Sequence, residues 1–263
     1  MPATETRIDP RGVATLTLSR ETVFNAFDEA MIGELRERFD TLGADPAVRV
    51  IVLAARGKAF SAGADLNWMR RASANTPEEN VRDARVFAAM MAAIAECPKP
   101  TLAKVQGAAF GGGVGLAAAC DIVVASRAAK FSVSEARFGI LPSVIGPYLV
   151  HSIGARQATR LALSTSRIGA DEALALGLVH RVAEAEALDE AVEEVLGELL
   201  ANGPNAQTEI KRLFARLDTL GLGEEAREFT AQTISRVRAT DEAREGFAAF
   251  FEKRDPAWVR RAE

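Results

Sequence analysis

One stretch, from Pro100 to Glu135, constrains this chain more than any other: PTLAKVQGAAFGGGVGLAAACDIVVASRAAKFSVSE. A β-like run, Thr101 to Val105, leads into Gly107 and the triple glycine Gly111-Gly112-Gly113. A small-residue helical run, Leu116 to Cys120, and a second β-like run, Ile122 to Ala125, follow. Glycine lets the main chain bend tightly and lets another molecule approach it. Where glycines open a helix, unpaired N–H groups and the positive end of the helix dipole point outward together. Such a bend favours a negative oxygen, either of a phosphate or of a carbonyl that gains charge during a reaction.

The flanking pattern is strand and helix. Val13 to Leu18 (VATLTL) alternates apolar and polar residues and reads as a strand. Asp28 caps a helix, EAMIGELRERFDTLGA. Val48 to Ala54 is an almost unbroken apolar strand, which implies burial on both faces. Lys58 to Asp65 (KAFSAGAD) reads as a loop, and Asp65 as the N-cap of a short helix, LNWMRR. Pro77 opens a long helix that Pro98 and Pro100 stop. Phe131 to Ser134 precedes a turn of helix from Glu135. Ser143 to Ser152 and Ala155 to Ser164 are helical segments joined at Gly154, Asp171 to Leu176 is another helix, and Leu178 to Val182 is a last short strand. From Ala183 onward the pattern is helical. The expectation is an α/β core over residues 1–182 and a helical region over 183–263, with parallel strands joined by crossovers.

At 263 residues the chain is long enough to bury a large core. A net charge of −4 and the lack of a basic run exclude nucleic acid as the main partner. The most apolar run, Gly107 to Cys120, is shorter than the roughly 20 residues of a membrane helix. The opening residues are polar and mixed in charge, unlike a secretory or transit signal, so a cytoplasmic protein with reduced thiols is expected. Cys97 and Cys120 lack metal-type spacing, and the only histidines, His151 and His180, stand far apart. No metal site is expected, and no G-x-S-x-G elbow or Ser-His-Asp pattern points to a hydrolase.

Two readings of the glycines remain at this level. Gly113 to Ala118 fits the dinucleotide fingerprint G-x-G-x-x-A, with Glu135 about twenty residues on, although an extra strand-like piece intervenes. Against it stands a second loop. KAFSAGAD follows the buried strand VRVIVLAA just as GAAFGGG follows PTLAKVQ. Two strand-end loops can each offer one main-chain N–H to a shared oxygen, and each such donor contributes about 3 to 4 kcal/mol to an oxyanion hole.

The motifs NAF (Asn25 to Phe27), FSAGADL (Phe60 to Leu66), GAAFGGGVGLAAACDIVVAS (Gly107 to Ser126), KFSVSEARFGILP (Lys130 to Pro142) and the terminal FFEKRDPAW resemble the crotonase, or enoyl-CoA hydratase/isomerase, superfamily. The resemblance covers about Val13 to Trp258. It implies an α/β crotonase (ClpP-like) spiral of ββα units with a C-terminal helical trimerisation region. It also implies acyl-CoA thioester chemistry without a metal or redox cofactor, coenzyme A being part of the substrate. By position it assigns the oxyanion donors to Ala64 and Gly112. It places coenzyme A contacts at Asn25, Lys58, Ala62, Asp65 and Leu66, and, reaching a neighbouring subunit's coenzyme A, at Phe250 and Lys253. A homotrimer or dimer of trimers is expected.

Family hydratases carry one glutamate two residues after the triple glycine and another in the KFSVSE stretch. Here the first position is Gly115 and the second is Glu135. Ser132-Val133-Ser134-Glu135 also fits a capping box, which would make Glu135 a helix cap. FSAGADLNWMRR, the GGG-x-G pattern and PSVIG at Pro142 to Gly146 resemble most the bacterial 3-methylglutaconyl-CoA hydratase branch. Its substrates bear a second carboxylate, for which Arg70, Arg71 and Arg137 are candidates. The expected activity is hydration of an enoyl-CoA double bond with Glu135 moving the proton. The alternatives are an enoyl-CoA isomerase using Glu135 alone, or a catalytically weak acyl-CoA-binding relative.

Overall fold

The structure is a computed structural model that describes residues 2–259. An antiparallel hairpin of β1 (Thr4–Ile8) and β2 (Val13–Leu18) leads into α1 (Glu29–Ala44), whose N-cap, Asp28, accepts from the Met31 N–H at 3.0 Å. Two strands then one or two helices recur three times. The first group is β3 (Val50–Ala55), β4 (Ala59–Ser61), α2 (Leu66–Ala72) and α3 (Pro77–Ala95). The second is β5 (Thr101–Val105), β6 (Ala108–Phe110) and α4 (Gly112–Ala119). The third is β7 (Ile122–Ser126), β8 (Lys130–Ser132) and α5 (Gly146–Ser164). β9 (Ile168–Gly169), α6 (Ala170–Leu176) and β10 (Arg181–Ala183) close the core. The helices α7 (Leu188–Leu200), α8 (Pro204–Leu220), α9 (Glu224–Arg238) and α10 (Asp241–Glu252) follow.

The first strand of each group enters a six-stranded sheet, ordered β1-β2-β3-β5-β7-β10. The second enters a four-stranded sheet, ordered β4-β6-β8-β9. Each repeat is therefore one turn of a spiral that lays down both sheets in step. The apolar run of β3 explains its place at the centre. Ile51 and Leu53 face a core shared with α1, α3, α4 and α5, while Val50, Val52 and Ala54 face α7 through Leu188, Val192, Val195 and Leu196. A strand covered on both faces has no polar side to show.

Several boundaries differ from the sequence reading. The loops expected at Lys58 to Asp65 and after Gly107 each contain a three-residue strand, β4 and β6. Three residues are too few to display a two-residue period. The helix expected from Leu116 begins at Gly112, so the glycines are helical themselves. The last core strand covers Arg181–Ala183 instead of starting at Leu178. Gly154, the expected joint, breaks α5 with φ 72° and ψ 153°.

Candidate active site

β4, β6 and β8 run parallel and adjacent, so the segments leaving their carboxyl ends emerge side by side. In parallel sheets this edge is the usual place for a ligand. The three segments carry Ala64, Gly112 and Glu135 respectively.

The bend after β4 is tied down amide by amide. The Ala62 N–H donates to Phe24 O at 2.9 Å, the Gly63 N–H to Ser61 Oγ at 3.2 Å, and the Asp65 N–H to Phe27 O at 3.0 Å. The Phe27 N–H donates back to Gly63 O at 2.8 Å. Among the described residues the Ala64 N–H has no acceptor. Asp65 caps α2, accepting from the N–H groups of Asn67 and Trp68 at 2.8 and 3.3 Å and from Arg20 at 3.0 Å. Burial alone would raise the Asp65 pKa. Those two amides and the guanidinium outweigh it and hold the carboxyl below its usual range.

The bend after β6 turns on Gly111, whose φ of 52° and ψ of −124° suit glycine. Its N–H donates to Ser132 O at 2.8 Å, which leaves Gly112 at the first helical position with no acceptor for its own N–H among the described residues. The two bends abut. A Cβ built on Gly63 would stand 2.7 Å from Phe110 O and 3.4 Å from the Gly112 nitrogen. Phe27 supports both. Its backbone pairs with Ala64, and its ring lies where a Cβ on Gly112 would come within 2.2 Å of Cζ. Any side chain at 112 would have to displace that fully buried ring.

Glu135 opens a short 3-10 turn, Glu135–Phe138. The capping box does not form. Ser132 Oγ donates instead to Thr165 O at 3.1 Å, and the turn has no side-chain cap. The Glu135 carboxyl is thereby left for other work. A Cβ on Gly111 would approach Oε1 to 3.3 Å, so the carboxyl borders the glycine bend. Oε2 is buried with no hydrogen-bond partner among the described residues. Burial raises the Glu135 pKa, and the N–H groups of Glu135 and Ser134 offset this only in part. A carboxyl poised this way can accept a proton and return it.

Gly115, on the next turn of α4, is walled in. A Cβ there would meet Ile145 Cγ2 at 2.3 Å and Met91 Cε at 3.4 Å. Ile145, from the PSVIG segment, thus occupies the space into which a carboxylate at 115 would have to project. Sequence reasoning noted both PSVIG and Gly115 but gave no sign that they touch.

The remaining sequence candidates divide. Lys58, Ala62 and Leu66 are exposed on or beside the first bend, and the Lys58 carbonyl abuts Gly107, where a Cβ would stand 2.1 Å from it. Asn25 is held inside the fold. It is fully buried, its Nδ2 donates to Arg56 O and Ala59 O, and its Oδ1 accepts from the Arg20 N–H, so it braces the bend from behind. Asp65 is likewise engaged as cap and ion-pair partner. Phe250 and Lys253 lie at the end of α10, Phe250 exposed and edge-on to Phe251. Of the arginines, Arg71 pairs with Glu29 at 2.7 Å and Arg137 donates to Thr165. No hydrogen bond or ion pair engages the Arg70 guanidinium among the described residues.

Two unpaired amides on touching bends, with a half-buried glutamate beside them, define a site suited to a carbonyl that becomes an enolate. Comparison with known proteins agrees. Residues 9–261 match the enoyl-CoA hydratase/isomerase family. The chain is 31% identical to the crotonyl-CoA hydratase of Syntrophomonas wolfei, over 94% of each chain. It is also 31% identical to the trans-2-decenoyl-[acyl-carrier-protein] isomerase of Streptococcus mutans, over 94% of this chain and 95% of that one. The crystal structure of an enoyl-CoA hydratase from Shewanella pealeana superposes with a TM-score of 0.94 at 38% identity, covering 97% of this chain and 96% of that one. The chain belongs to the enoyl-CoA hydratase/isomerase family and has the crotonase fold. It is an acyl-CoA enzyme with hydratase or isomerase activity. That assignment disposes of the dinucleotide reading of the glycines.

Proposed function

We propose that this enzyme adds water across the double bond of an enoyl-CoA thioester, with Glu135 as the only proton carrier. The observation that carries this reading is the Glu135 carboxyl itself, set against the glycine bend with Oε2 buried and unpartnered. The thioester oxygen lies between the N–H groups of Ala64 and Gly112. Ionised Glu135 takes a proton from water as the water oxygen bonds to C3. The π electrons move toward the thioester oxygen and form an enolate that the two amides stabilise. Glu135, now protonated, gives the same proton to C2. One water is consumed, and the carboxylate returns to its starting state.

Lys58, Ala62 and Leu66 contact the coenzyme A portion in this reading. Phe250 and Lys253 reach the coenzyme A of a neighbouring subunit in a trimer or a dimer of trimers. The acyl group is 3-methylglutaconyl-like, a choice supported by the FSAGADLNWMRR and PSVIG motifs. Of the three candidate arginines, Arg70 has the unengaged guanidinium for the second carboxylate.

A second reading, double-bond isomerisation, is favoured by the contact of Ile145 with Gly115. A wall in place of a second carboxylate suits a single group that moves one proton between carbons. Product analysis in heavy-oxygen water separates the two. A 3-hydroxyacyl product carrying the heavy oxygen supports hydration, whereas a shifted double bond with no oxygen uptake replaces hydration with isomerisation.

A further inference from the structure

Among the described residues, two buried polar atoms without partners sit on the segments leaving β4 and β8. One is Glu135 Oε2 and the other is the indole nitrogen, Nε1, of Trp68. Trp68 lies on α2, directly after the Ala64 bend, and its own backbone N–H is held by Asp65. Its ring centroid is 6.3 Å from that of Phe27, the residue wedged beneath Gly112. Phe87 also packs on Phe27, with ring centroids 5.2 Å apart. The indole is therefore one ring, that of Phe27, away from the proposed oxyanion donor.

An indole N–H is a donor only. Burying such a donor without an acceptor is unfavourable, and native structures seldom retain one that serves no purpose. A phenylalanine would fill the same aromatic setting without that cost. Trp68 is half-buried while its Nε1 is enclosed, so a ligand oxygen reaches that atom only once the groups covering it shift. Two of the cations first considered for a polar acyl chain, Arg71 and Arg137, are engaged elsewhere.

We propose that the Trp68 indole N–H is a recognition donor for an oxygen atom carried by the acyl chain beyond the thioester, and so selects acyl-CoA substrates with an oxygenated tail. The inference deepens the proposed function and rests on the acyl group binding beside Phe27. A site with a built-in donor discriminates strongly against a ligand that leaves the donor unpaired.

The test uses two pairs of thioesters on the full-length protein. Glutaconyl-CoA and crotonyl-CoA are compared as substrates. Glutaryl-CoA and butyryl-CoA, which have no double bond, are compared as ligands by calorimetry, so recognition is read even if the proposed hydration fails. Wild type is expected to bind glutaryl-CoA more tightly than butyryl-CoA. Trp68→Phe should lower affinity and kcat/KM for the carboxylated member of each pair by about tenfold, and leave the other member within about twofold. Equal affinity of wild type for glutaryl-CoA and butyryl-CoA overturns the proposal without any variant. An unchanged preference in Trp68→Phe, or an equal loss for both members of a pair, overturns it as well.

Discussion

Arg137 Nε donates to Thr165 Oγ1 at 2.9 Å, and Nη2 of the same guanidinium reaches Thr165 O at 3.3 Å. Thr165 is buried, closes α5 in a left-handed conformation with φ 48°, and also accepts from Ser132 Oγ. Ser132 O in turn fixes the Gly111 N–H. One threonine therefore ties the turn that bears Glu135 to the bend that bears Gly112. We expect Arg137→Gln to lower kcat by about tenfold or more with KM nearly unchanged, because a small misplacement of a catalytic group is costly. The acidic limb of the pH–rate profile should also move toward lower pH as the loosened turn admits water to Glu135. Arg137→Lys should recover part of both effects, and steady-state kinetics across pH would show it.

Glu135→Gln should reduce turnover by a factor of about 10² to 10⁴, the usual contribution of a positioned acid–base group. It should also stabilise the fold at neutral pH. Burial raises the folded-state pKa above the ordinary glutamate value of 4.5, so the unfolded chain ionises first as pH rises. Wild type thus loses stability between about 4.5 and the folded pKa, whereas the glutamine variant does not. Melting curves should show the variant ahead at pH 7 and the difference vanishing in acid.

Gly115→Glu restores the carboxylate that family hydratases carry, yet it is expected to fail alone. The new side chain would collide with Ile145 Cγ2, 2.3 Å from the Cβ position. Overpacking of this kind costs about 1–3 kcal/mol, or more where the neighbour cannot move. Gly115→Glu combined with Ile145→Ala should regain much of the lost melting temperature. If the single variant proves as stable as wild type, the wall is softer than the contact implies.

Gly112→Ala places a methyl group 2.2 Å from Phe27 Cζ and should displace the bend. Loss of one oxyanion donor corresponds to roughly 10²- to 10³-fold in kcat. Phe27→Leu in the same chain should relieve the collision and recover stability before it recovers rate, which separate melting and kinetic measurements would resolve.

The run Val48 to Ala54 announced its burial because both faces of β3 are apolar, and Asp28 and Asp65 announced their caps through position alone. The two bends were legible as small-residue loops, each following a strand and leading into a helical pattern. Their contact was not, since it depends on β4 pairing with β6, and strands of three residues leave no periodic trace. Asn25 was assigned to coenzyme A by the family resemblance of NAF alone, and no sequence pattern announced that its amide is fully buried with three hydrogen bonds inside the fold. Ile145 and Thr165 escaped notice for a different reason. Each meets its partner only after α5 folds back across α4 and the turn after β8, and no local propensity encodes such a meeting.

Because β4, β6 and β8 each deliver one group to a shared edge, holding the oxygen and handling the proton fall to different segments of the chain. A glycine at position 115 removes a carboxylate without touching either amide, whereas a change in the turn after β8 reaches the Gly112 bend through Thr165 and Ser132. A scaffold assembled lap by lap in this way can change which bond it makes or breaks while keeping its grip on the thioester intact.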